Sequence, residues 1–140
     1  MSQVPSWSTT AASNNSTPPD GFPEGMASAD FNNSAREVMA AVKTWWALCN
    51  PTVIAGGTAD ALTLTCVPAP TSYTSGMTIA FYSGAAANTG AATVNVNSLG
   101  AKAIVRRDGS TALTAGQIAA NTLYVMSYDG TSFRLWFTGT

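Results

Sequence analysis

Thr122-Leu-Tyr-Val-Met-Ser-Tyr128 is followed by Asp129-Gly-Thr131 and then by Ser132-Phe-Arg-Leu-Trp-Phe137, two apolar runs joined by a turn. Asp-Gly accommodates positive φ, and it lies between two runs rich in aromatic and aliphatic residues, so the segment predicts a β-hairpin. Earlier in the chain, Ala61-Leu-Thr-Leu-Thr-Cys-Val67 alternates apolar and hydroxyl residues, as a strand with one buried face does. Pro68 and Pro70 end it. Met77–Ser83, Ala92–Asn97 and Ala101–Arg106 repeat the pattern, and a short strand around Gln117, within Leu113–Ile118, is also expected. Roughly six to eight short strands at intervals of roughly ten residues indicate an antiparallel β-sandwich or barrel. The expected core face takes Leu62, Leu64, Ile79, Phe81, Val94, Val96 and Ile104 from the earlier strands, and Leu123, Val125, Phe133, Leu135 and Phe137 from the hairpin. Tyr124, Tyr128 and Trp136 then fall on the opposite register, an outer aromatic face open to a subunit interface or a ligand.

Before Pro51 the period changes. Ala35, Val38, Val42, Trp45 and Cys49 step by three, four, three and four, which places them on one face of an amphipathic helix over residues 30–50. Met39 and Trp46 add a second stripe beside the first. Ser34 and Glu37 have capping-box spacing, with Asp30 or Asn33 as alternative caps. Pro51 disfavours helical geometry at Asn50 and closes the segment. A helix of about sixteen residues, about 24 Å long, is marginal alone in water and must dock. Two partners remain open for it: its own β-domain, or further copies of the same helix.

Residues 1–29 show no periodicity and hold four of the seven prolines. Such a segment cannot build a core. It reads either as a flexible terminus or as an extended arm, with Trp7, Phe22 and Met26 as anchors for pockets on another protein. The division is therefore an arm (1–29), a helix (30–50) and a β-domain (51–140).

Charged residues are 9% of the chain, against an average of about 25%. Six basic and seven acidic residues give a net charge of −1, which argues against a nucleic-acid partner recruited by bulk charge. Arg106-Arg107 is the one adjacent basic pair and reads as a solvated strand end or turn. No apolar leader or membrane-spanning run is present, so synthesis in a cytoplasm and free thiols at Cys49 and Cys66 are expected. With no histidine, the usual general base and the commonest metal ligand are missing. The carboxylates are dispersed, and no phosphate-binding glycine loop, Cys-x-x-Cys pair or calcium loop occurs. The expectation is a non-enzyme without a cofactor or bound metal.

Three stretches carry a resemblance: Trp7-Ser-Thr-Thr-Ala-Ala-Ser-Asn14, Pro23-Glu-Gly-Met-Ala-Ser28, and Asn33-Ser-Ala-Arg-Glu-Val-Met-Ala-Ala-Val-Lys-Thr-Trp45. Together they resemble the N-terminal particle-attachment region of tail-fibre and appendage proteins from tailed bacteriophages. Gly57-Thr-Ala-Asp-Ala-Leu-Thr-Leu64, Ala87–Asn97, Gly100–Arg106 and Tyr128–Leu135 are similar to a small β-domain that often follows it. The resemblance implies a virion structural protein in the tail, made in the bacterial host's cytoplasm. It implies a homotrimer in contact with other tail proteins such as an adaptor, nozzle or baseplate-like component. Trp7, Phe22, Pro23, Glu24 and Met26 would belong to the attachment region, and Ala35, Val38, Met39, Val42, Trp45, Trp46 and Cys49 to an oligomer-interface helix. The chain stops at Thr140, where many fibres continue into a shaft and a receptor-binding tip. A head or collar decoration is an alternative. So is a carbohydrate-binding module that stacks a host surface glycan on Tyr73, Tyr124, Tyr128 or Trp136.

Overall fold

A computed structural model of the chain describes residues 15–17, 21–49, 53–67 and 69–137. The chain divides into two units, Met1–Trp46 and Ala47–Thr140.

The first unit is built on α1, Ser28–Cys49, which runs on to the start of the second. Its entry differs from the expected capping box. The Ala27 carbonyl accepts the first-turn N–H groups of Asp30 and Phe31, so the helix begins a turn and a half before Ser34. Ser34, now inside the helix, donates its hydroxyl to the Gly21 carbonyl at 2.7 Å and is fully buried. The segment preceding the helix therefore folds back along its first turns. Gly25, at φ 72°, makes the turn, and Phe22 meets Phe31 edge to face with centroids 6.0 Å apart. An aromatic pair of this geometry is worth about 1 kcal/mol beyond the area it buries.

The second unit is an eight-stranded sheet curled into a nearly closed barrel. Its strands are β1 Val53–Ile54, β2 Gly56–Thr58, β3 Ala61–Leu64, β4 Thr78–Tyr82, β5 Ala92–Val96, β6 Lys102–Val105, β7 Leu123–Tyr128 and β8 Phe133–Leu135, in the order β1-β4-β7-β8-β6-β5-β3-β2. The mainly-β architecture agrees with the sequence reading, and β7 and β8 form the hairpin expected around Asp129-Gly130. Strand direction is more mixed than expected. β1 with β4, β3 with β5 and β6 with β8 are parallel, and the other neighbouring pairs are antiparallel.

Closure comes from one run of backbone. β1 and β2 are separated only by Ala55, yet they lie at opposite ends of the strand order. The first part of the run pairs with β4 and the last part with β3. Ala55 itself donates to the Tyr82 carbonyl at 2.8 Å, keeping the β4 side engaged up to the crossover. Gly57 then sits at φ 79°, where a Cβ would collide with the Ala61 carbonyl oxygen. Only glycine suits that position.

Inward-facing residues follow the register. Leu62 opposes Val94 and Leu64 opposes Val96; Ala92 opposes Ile104, which in turn neighbours Phe133. Across the other wall Ile79 opposes Met126 and Phe81 opposes Tyr124, while Leu135 and Phe133 oppose Met126 and Tyr128. All of these side chains are buried. In β7 the expected register is therefore inverted: Tyr124, Met126 and Tyr128 point inward, Leu123 is exposed and Val125 half-buried. The rings fill more volume than Leu or Val, and each hydroxyl finds a partner. Tyr124 accepts from the Ala119 N–H at 2.7 Å, and Tyr128 donates to the Gly130 carbonyl at 2.9 Å. Phe137, expected in the core, lies beyond the end of β8 and is 71% exposed.

Leu113–Ile118 is not a strand. Leu113 and Ile118 both reach the core from a turn-rich loop, whose one bridge to the sheet joins Ala112 to Val105. Buried Asn88 fastens this loop to the one after β4. Its carboxamide donates to the carbonyls of Gly90 (2.6 Å) and Thr114 (2.9 Å) and accepts from the Ile118 N–H at 2.7 Å. Asn97 does similar work elsewhere, pairing both ends of its carboxamide with the backbone of Cys66 at 2.9 and 3.1 Å.

Candidate aromatic and cationic cleft

Trp136 follows β8 directly, and two bonds fix it. Its backbone N–H donates to the Val125 carbonyl at 2.9 Å, continuing the hairpin ladder by one step. Its indole N–H donates to the Ser127 hydroxyl at 2.8 Å. The ring is thus held in one orientation while 45% of the residue remains exposed.

The parallel pairing of β6 with β8 places Val105 beside Arg134 and so brings the residues following each strand together. Arg106, Arg107, Asp108, Gln117, Leu135, Trp136 and Phe137 line an open cleft of about 390 Å³ there. Arg106 is aimed by two bonds, Nε to Gln117 at 3.1 Å and a terminal nitrogen to the Thr114 hydroxyl at 3.3 Å. The Gln117 oxygen also accepts from the Thr114 N–H at 2.9 Å, so guanidinium and loop hold each other. Arg107 is exposed and makes no hydrogen bond or ion pair with another described residue. Asp108 is ionised at neutral pH. The Thr111 hydroxyl, the N–H groups of Ser110 and Thr111 and, last, the charge of Arg106 bring its carboxyl down to about 2. Two guanidiniums against one carboxylate leave the lining cationic.

Three of the four tyrosine and tryptophan positions considered as a stacking platform are used structurally. Tyr124 and Tyr128 are buried, so their faces are covered. Tyr73 packs on the core with Tyr128 and Phe133 at centroid distances of 5.3 and 5.5 Å; its hydroxyl donates to the Gly100 carbonyl at 2.7 Å and accepts from the Val96 N–H at 3.0 Å. Trp136 alone keeps an open face. In the first unit Phe22 is spent partly on Phe31, Glu24 is exposed, and Pro23 and Met26 are half-buried; Trp7 lies outside the described residues. On the helix, Ala35, Val38 and Cys49 are half-buried. The Cys49 thiol is directed to the Thr78 carbonyl at 3.9 Å rather than outward. Met39 is exposed, as are Val42 (48%), Trp45 (59%) and Trp46 (50%), and the Lys43 ammonium lies 3.7 Å over the Trp46 ring.

Neither thiol is an activated nucleophile. Burial pushes Cys66 up to about 11 and raises Cys49 as well, and both are free. Among the described residues no group of three or more Cys, Asp or Glu side chains is placed to hold a metal ion. No described helix is long and apolar enough to cross a membrane. No protein-family model matches the chain, and no curated protein matches it.

Of the residues lining the cleft, Trp136 was a stacking candidate from the sequence, and Arg106 and Arg107 were assigned to no site. Arg106-Arg107 was legible only as a strand end, because the signal that matters, parallel pairing between segments almost thirty positions apart, leaves no local mark. The adjacent aromatic pair Trp136-Phe137 was a usable hint: on a strand, two neighbouring rings cannot both face inward.

Proposed function

We propose that this chain is a structural component of a tailed-bacteriophage particle, a short tail fibre or tail appendage without enzymatic activity. In this reading the N-terminal arm and α1 fix it to other tail proteins, three copies associate through the helix, and the barrel is the part displayed. Synthesis takes place in the cytoplasm of the bacterial host.

The observation that carries the reading is the open face of α1. Val42, Trp45 and Trp46 follow the helical period, yet each is about half exposed or more in the single chain, so the rest of the first unit does not cover them. A tryptophan side chain buries on the order of 200 Å², worth up to about 5 kcal/mol at about 25 cal/mol per Å² before ordering costs. A stripe of this kind is stabilised by an assembly that covers it, and the likeness of residues 7–45 to phage attachment regions supports the kind of assembly named.

Imaging of mature particles at a resolution that traces α1 is the test. Copies on the tail, with Trp45 and Trp46 enclosed by neighbouring chains, are expected. Virions that lack the protein would overturn the reading.

A further inference from the structure

We infer that the cleft between the ends of β6 and β8 binds an acidic sugar, with the carboxylate on Arg107 and Arg106 and the apolar face of the pyranose ring on Trp136 and Phe137. The inference rests on the barrel alone and does not depend on how the chain is mounted on a particle.

Three features point to this ligand. The first is preorganisation. The Trp136 indole is tied to Ser127 by its N–H and Arg106 is tied to Gln117 and Thr114, so neither loses much freedom on binding. The second is the pairing of chemistries. Arginine recognises planar carboxylates through its fork of donors, and an aromatic face, negative at its centre, attracts the polarised C–H groups of a sugar ring. Arg107, which spends no donor on another described residue, supplies the main contact. The third is selectivity by charge. Asp108 stands in the same lining and stays ionised, its oxygens already accepting from Ser110 and Thr111. It disfavours compact dianions such as sulfate, for which one surplus positive charge is too little, and leaves room for one carboxylate of a short acidic sugar whose other charged units lie outside the cleft. The volume, about 390 Å³, is within the usual range for small-ligand sites and suits one or two sugar units rather than a long chain.

The test is a titration of the full chain, labelled with ¹⁵N and followed at the indole N–H resonances, with trigalacturonate as the probe. Maltotriose serves as the neutral control and sodium sulfate as the bare anion. Saturable movement of the Trp136 resonance is expected with trigalacturonate, with at least tenfold weaker binding of maltotriose and of sulfate. Losing one charged hydrogen-bonding partner, Arg107→Ala weakens the acidic sugar roughly tenfold. Phe137→Ala, at an exposed position, weakens it while leaving the rest of the spectrum in place. No saturable response to trigalacturonate would overturn the inference, as would equal binding of maltotriose or of sulfate, since either shows that one half of the proposed pairing is idle. Such a result removes the cleft's ligand and leaves the appendage reading to stand or fall on particle imaging.

Discussion

The guanidinium of Arg134 lies across the α-carbon of Gly109, at a place where any β-carbon would run into it. The same guanidinium pairs through Nε with Asp129 at 2.7 Å, so one side chain spans both Asp-Gly turns of the barrel, Asp108-Gly109 and Asp129-Gly130.

Two alanine substitutions separate backbone strain from this contact. Gly109 is at φ 82° and Gly130 at φ 105°, but a β-carbon at Gly130 would meet nothing within 4 Å. Gly130→Ala therefore costs only the strain, about 1–2 kcal/mol. Gly109→Ala also displaces the Arg134 guanidinium, the movable end of a half-exposed side chain, and so should cost up to about 1 kcal/mol more, the worth of its exposed pair with Asp129. Urea unfolding midpoints of the two variants check this; equal midpoints would show that Arg134 moves aside freely.

Asn88→Ala should be among the most damaging single changes in the barrel. It leaves the Ile118 N–H and the Gly90 and Thr114 carbonyls without their side-chain partner beside the core, at about 1–3 kcal/mol for each group that water does not reach. Hydrogen exchange should rise first in 113–119, the loop that Asn88 holds. Calorimetry together with exchange at Ile118 tests both statements.

Acid should loosen the barrel in a defined window. Asp108 and Asp129 are both lowered from 3.8 to about 2, the first chiefly by the Thr111 hydroxyl and the second chiefly by the Ser132 N–H. Asp60 is lowered by its bonds from the Thr89 hydroxyl and N–H. Because each folded-state value lies below its unfolded one, the stabilisation is fully present above about pH 4 and is lost as the pH falls towards 2. Melting temperature measured from pH 5 to pH 2 should decline, and the double variant Asp108→Asn/Asp129→Asn should decline less steeply from a lower starting point.

Val42→Asp distinguishes a covered helix from a bare one. Val42 is 48% exposed in the single chain, so a carboxylate there is tolerated by the monomer. Enclosed between copies, an unpaired carboxylate costs on the order of several kcal/mol. Sedimentation should show the wild-type chain as a trimer and the variant as a monomer with its barrel intact. Unchanged mass would remove the helix from the interface.

The strands were readable where one face is apolar and the other carries hydroxyls, as in Leu62-Thr63-Leu64 and Val94-Asn95-Val96. They were not readable in register where both faces are apolar. Along Leu123–Tyr128 hydropathy favours Leu123 and Val125 as the buried set, but ring volume and the partners available to the Tyr124 and Tyr128 hydroxyls decide the opposite. β1 and β2 are too short to show a period. Ser34 looked like a cap because its spacing to Glu37 is right; its actual partner, the Gly21 carbonyl, comes from a fold-back that local spacing does not encode. The cleft was half legible for the same reason: Trp136 announced itself, whereas its arginines arrive through the β6–β8 pairing.

The single backbone run through Ala55 and Gly57 places β1 and β2 at the two ends of the strand order. A β-protein of low charge, with six basic and seven acidic residues in all, has few Lys or Glu side chains with which to repel a neighbour's unpaired strand. Here the ends of the strand order are the two-residue β1 and the three-residue β2, and β1 covers only Phe81 and Tyr82 of β4, so residues 78–80 are without a strand partner on that side. Among the described residues the free hydrogen-bonding rim is broken into short pieces of two or three residues, so copies crowded side by side are kept from fibril-like stacking by topology more than by electrostatic repulsion.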